Sequence, residues 1–145
     1  MDALTLAYIG DACWSFFIRK ALIDTGIYNV QILNSLASEI VSARWQSRIL
    51  FEIRELLNER ELKVAKRARN TSSHVPKSAT VEEYRESTAF EALLGYLYLS
   101  GQKQRLDFIL EKSLKYVAGE MSHEKCLFHQ MHAAYPNSRR RNDWI

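Results

Sequence analysis

The stretch Leu4-Thr5-Leu6-Ala7-Tyr8-Ile9-Gly10-Asp11-Ala12-Cys13-Trp14-Ser15-Phe16-Phe17-Ile18 decides how this 145-residue chain is read. Its apolar residues recur with no strand-like alternation, and they surround nearly the whole helical circumference, which marks a buried helix. Leu4 to about Asp24 is therefore expected to be the first helix, with Gly26 just beyond it as a stop. One carboxylate, Asp11, is embedded in it beside Gly10. The surroundings predict that Asp11 is at least partly buried. An ionised carboxylate there costs several kcal/mol unless it is paired, hydrogen-bonded or bound to metal.

Helical periodicity continues outward from this stretch. Val30 to Leu57 is expected to hold a short helix and then a longer one, in which Ile40, Val41, Trp45, Ile49, Ile53, Leu56 and Leu57 recur every three or four residues. Glu59 to Arg69 reads as a further helix. Thr80 followed by Glu83 is a capping box that starts a helix at Val81, running to about Leu99. Beyond Gly101, Gln102 to about Ala118 is amphipathic. The expected architecture is all-α, a single domain of roughly six helices over residues 1–118, with residues 119–145 a loosely ordered tail.

Composition limits the alternatives. A chain 47% hydrophobic and 26% charged, with five glycines and two prolines, excludes a disordered or low-complexity protein. Two distant cysteines make no disulfide framework, and the start Met1-Asp2-Ala3 lacks the basic residues of a secretion signal. No apolar run reaches the ~20 residues of a membrane span, so a cytoplasmic protein without membrane partners is expected. The net charge of +3 hides an uneven distribution. Lys63, Lys66, Arg67, Arg69 and Lys77 lie in a stretch without acids, whereas Ser78 to Glu91 holds Glu82, Glu83, Glu86 and Glu91 against Arg85 alone. A basic stretch beside an acidic one suits a site that handles phosphates with metal ions, and equally two solvated helix faces.

Glu91 repeats the situation of Asp11. It is the single acid in Ser87-Thr88-Ala89-Phe90-Glu91-Ala92-Leu93-Leu94-Gly95-Tyr96-Leu97. A glycine inside a helix costs about 1 kcal/mol against alanine, so Gly10 and Gly95 are best explained by close helix approach. Two helices crossing there would bring both carboxylates to one cation. Oxygen ligands of this kind suit Mg²⁺, with Mn²⁺ able to substitute.

At these residues the chain resembles the ribonuclease III family. Leu6-Ala7-Tyr8-Ile9-Gly10-Asp11-Ala12 is similar to its signature helix, and Phe90-Glu91-Ala92-Leu93-Leu94-Gly95 to its second catalytic segment. Ile40-Val41-Ser42-Ala43, Arg69-Asn70, Pro76-Lys77 and Tyr84-Arg85 follow the style and order of the short bacterial form, over about Leu4 to Val117. The resemblance implies an endonuclease domain that acts as a homodimer on double-stranded RNA by Mg²⁺-assisted hydrolysis, leaving 5′-phosphate and 3′-hydroxyl ends. It implies that Asp11 and Glu91 are catalytic and bind the metal. Longer members carry two further acids, at positions held here by Ala7 and Thr88. Precursor ribosomal RNA is the substrate expected by analogy, with a ribosomal protein as a further partner.

Duplex RNA is gripped through phosphates and 2′-hydroxyls. Lys66, Arg67, Arg69, Asn70, Lys77 and Arg85, with Ser72, Ser73, His74 and Ser78 in the intervening loop, are the expected contacts. The chain leaves no room for an appended RNA-binding domain, so the catalytic domain and dimer shape are expected to select substrate. The aromatic residues of the first helix, Tyr8, Trp14 and Phe17 with Phe16, are the expected two-fold interface. In the tail, His123, Cys126, His129 and His132 do not match zinc spacings, and Arg139-Arg140-Arg141 reads as a basic tail. Two other classes stay open: a catalytically silent domain of the same fold that binds RNA or the ribosome, and a helical interaction module.

Overall fold

A computed structural model describes residues 1–71, 76–77 and 79–123. The described residues form six α-helices and one 3₁₀ turn, with no strand among them: α1 Ala3–Asp24, α2 Val30–Ile40, α3 Ala43–Ile53, the turn Arg54–Leu56, α4 Glu59–Thr71, α5 Val81–Leu99 and α6 Lys103–His123. Short polar side chains set the helix starts. The Asp2 carboxylate accepts from Thr5 N–H, Asn29 from the N–H groups of Gln31 and Ile32, and Ser42 from Trp45 N–H. Thr80 and Glu83 close the expected capping box at the start of α5.

Two boundaries differ from expectation. α2 and α3 are equal at 11 residues, because Ser42 caps a new helix immediately after Ile40 and Val41. α6 runs through Gly119 to His123, past the expected end near Ala118. Val117 and Met121 continue its buried stripe, and that packing outweighs the modest cost of one helical glycine. The later tail positions, Cys126, His129, His132 and Arg139 to Arg141, lie outside the described residues, as do Ser72, Ser73, His74 and Ser78.

α5 is the central helix, packed along α1 and against α3 and α4. It is buried nearly all round, with Phe90, Ala92, Leu93, Leu94 and Leu97 fully covered. Trp14 of α1 is 0% exposed. It stacks on Phe17 and meets Phe90 edge-on at 5.2 Å. Trp14 is thus a core residue of the single chain and is removed from the expected interface. The outward stripe of α1 is Leu4, Tyr8 and Phe16, spaced in multiples of four, with Tyr8 82% and Phe16 75% exposed. Phe17 is half-buried. No described helix is long and apolar enough to cross a membrane.

Between α4 and α6 lies a polar clamp. Glu61, 1% exposed, receives Nε and Nη2 of Arg105, each at 2.8 Å, and the N–H of Asn58 at 2.9 Å. Burial by itself would raise the Glu61 carboxyl. The hydrogen bonds from Arg105 and Asn58, with the guanidinium charge, outweigh it and hold the pKa below its ordinary value.

Candidate active site

α1 and α5 touch backbone to backbone. A Cβ on Gly10 would lie 1.6 Å from the Glu91 carbonyl oxygen, and one on Gly95 would lie 1.9 Å from the Leu6 carbonyl oxygen. Each helix therefore supplies the glycine that the other's main chain requires, as the sequence suggests. α4 closes on the same crossing through small residues: Ala68 joins Ala3, Ala7 and Ala92 in an alanine cluster with Leu6 and Val64 at its edge.

This packing brings the Asp11 and Glu91 carboxyl groups together. Burial first, then a hydrogen bond and the negative charge of Asp11, push the Glu91 carboxyl up to about 9, against the pull of a hydrogen bond from Gln46. Without a cation, Glu91 thus retains its proton at neutral pH. The expected burial of Asp11 is corrected: its side chain is exposed. Gly10 faces α5, and the next residue lies on the open rim of the crossing, so the apolar character of α1 does not enclose it. Glu91 is the half-buried member of the pair.

The two positions at which the resemblance implies further acids, Ala7 and Thr88, contribute none here. Ala7 is buried in the alanine cluster, and the Thr88 hydroxyl donates to the Tyr84 carbonyl at 3.0 Å. Among the described residues no group of three or more His, Cys, Asp or Glu could hold a metal ion. The donor set is two carboxylates with a buried amide, Gln46, beside them. These hard oxygen donors fit a magnesium-type cation, which keeps most of its waters.

Ala68 anchors α4 at the crossing, and its neighbours Arg67 and Arg69 are exposed, as are Lys66 and Asn70. Lys66 and Arg69 line a groove of about 450 Å³ with Arg54, Phe51, Glu82 and Glu86. Arg69 is held at 3.3 Å by Glu86 of α5, so it is not a free cation. Lys77 and Arg85 are exposed outside this groove. Gln46 is absent from the sequence-based site because nothing distinguishes one glutamine in an amphipathic helix until its burial is known.

Comparison with known proteins agrees with the motif resemblance. The family model described as Ribonuclease III domain matches residues 4–102. A protein named Mini-ribonuclease 3 from Symbiobacterium thermophilum is 44% identical over 118 residues, spanning 81% of this chain and 91% of that one. The Mini-ribonuclease 3 of Brevibacillus brevis is 42% identical over 120 residues, 82% and 90% of the two chains. A crystal structure of a protein from Fusobacterium nucleatum matches with a TM-score of 0.73 and 37% identity, covering 79% of this chain and 93% of that one.

Proposed function

This chain belongs to the ribonuclease III family, and from that premise we propose that it is an endoribonuclease that cleaves double-stranded RNA with a divalent cation, Mg²⁺, held by Asp11 and Glu91. The observation that carries the reading is the meeting of those two carboxyl groups at a helix crossing that admits no side chain at Gly10 or Gly95. When bound, a divalent cation supplies activation of a water, orientation of the scissile phosphate and stabilisation of the leaving oxygen. The chain's own residues prepare the place for it. The α1–α5 contact sets the two carboxyl groups side by side, and a bound cation would be held by Asp11 and the ionised form of Glu91. Lys66, Arg67, Arg69 and Asn70 on α4, with Lys77 and Arg85, grip backbone phosphates beside the crossing.

The exposed stripe of Leu4, Tyr8 and Phe16, with Phe17 at its edge, supports a homodimer in which two such sites each cut one strand. In the cytoplasm the substrate class is a structured RNA such as a ribosomal RNA precursor, which a ribosomal protein would accompany. A labelled duplex RNA incubated with Mg²⁺ or chelator, beside Asp11→Asn, tests the reading. Metal-dependent cleavage lost in Asp11→Asn supports it. Binding without cleavage in either protein instead identifies a silent RNA-binding domain, to which the missing acids at Ala7 and Thr88 give a physical basis.

A further inference from the structure

Gln46 lies on the buried face of α3 at 2% exposure, between Trp45 and Ile49. A glutamine amide carries two N–H donors and one acceptor oxygen, and burying any of them unpaired is costly. Nε2 donates to the Val41 carbonyl at 3.0 Å, which pins the amide to the end of α2. The same buried amide lies against the Glu91 carboxyl and favours its ionised form. Oε1 is buried and has no hydrogen-bond partner among the described residues. A side chain present only to fill space here would be leucine or methionine, which match the volume without that cost.

We propose that Gln46 is a positioning residue of this site: its amide nitrogen holds the Glu91 carboxylate opposite Asp11, and its Oε1 accepts a hydrogen bond from solvent ordered there when a divalent cation is bound. The proposal rests on the reading of Asp11 and Glu91 as cation ligands. Ligating carboxylates are themselves hydrogen-bonded, and loss of such a partner costs about 10–100-fold in metal affinity or activity. A neutral amide suits the task, because it restrains the carboxylate without opposing the cation's charge as a lysine or arginine would.

The test is Mn²⁺ titration, followed by the paramagnetic resonance signal of the free ion, on the wild type, Asp11→Asn and Gln46→Met, with thermal melting and duplex-cleavage kinetics on each. Gln46→Met is expected to melt within a few degrees of the wild type, to bind Mn²⁺ about tenfold more weakly or worse, and to lose kcat while KM for RNA holds. In the wild type, the Gln46 side-chain amide signals in a nitrogen-15 spectrum shift saturably with Mg²⁺, a readout that needs no variant to fold. If Asp11→Asn loses Mn²⁺ while Gln46→Met binds normally, or the Gln46 amide does not respond to Mg²⁺, the role of Gln46 is overturned and the carboxylate reading stands. If Asp11→Asn binds Mn²⁺ like the wild type, the carboxylate reading fails and the role of Gln46 falls with it.

Discussion

Two glutamates are set into the interior of this fold, and they are treated in opposite ways. Glu61, between α4 and α6, is met by a two-pronged Arg105 and the Asn58 N–H, and its pKa is lowered. Glu91, at the α1–α5 crossing, meets a second carboxylate and a glutamine, and its pKa is raised to about 9. The first acid has its cation supplied by the chain and serves the fold. The second is placed with another anion, an arrangement that costs stability and makes chemical sense as half of a cation site. A buried acid is therefore read by its partner rather than by its burial.

The largest effect that would break this contrast is on activity. Asp11→Asn is expected to lower duplex cleavage about a thousandfold, the several kcal/mol that a metal contributes to the transition state, in a gel assay at saturating Mg²⁺. Because Asp11 is exposed, its melting temperature should change little. Gly10→Ala places a methyl group against the Glu91 carbonyl and should cost about 3 kcal/mol in denaturant unfolding, while abolishing cleavage. Normal stability in that variant would mean that the crossing is looser than described.

The two glutamates sharpen the contrast through opposite pH responses. A lowered carboxylate pKa gives Glu61 a stabilising contribution that is present above about 4.5 and lost as pH falls through its folded value. Glu61→Gln should lose about 2 kcal/mol at pH 7 and flatten the acid limb of the stability curve. A raised pKa works the other way. The unfolded chain releases the Glu91 proton near 4.5 and the metal-free fold retains it to about 9, so stability falls as pH rises between those values. Glu91→Gln should therefore gain up to about 5 kcal/mol at pH 8 without metal and remove that slope, as melting across pH would show. The smallest effects belong to α4. Lys66, Arg67 and Arg69 changed together to alanine should leave both pH signatures intact, weaken RNA binding and reduce its salt slope by about one per lost phosphate contact. Arg69 should count least, being held by Glu86.

Much of the fold was legible because local signals agreed with global packing. The Thr80–Glu83 box and the paired glycines both mark events within a few residues or at one contact. What the sequence did not disclose depends on which side of a helix faces inward. α1 is apolar nearly all round, so nothing local separates buried Trp14 from exposed Tyr8 and Phe16, or reveals that Asp11 opens to solvent. Arg105 meets Glu61 across 44 residues of chain, and Gln46 turns its polar end inward among the apolar buried residues of α3. Long-range pairings of that kind leave no periodic trace.

The central claim is that Asp11 and Glu91 hold one cation between them. Anomalous diffraction from crystals soaked in Mn²⁺ tests it directly. A single strong peak per subunit is expected, within about 2.2 Å of a carboxylate oxygen of each residue and absent in Asp11→Asn. A peak that touches neither carboxylate, or none at saturating Mn²⁺, would contradict it.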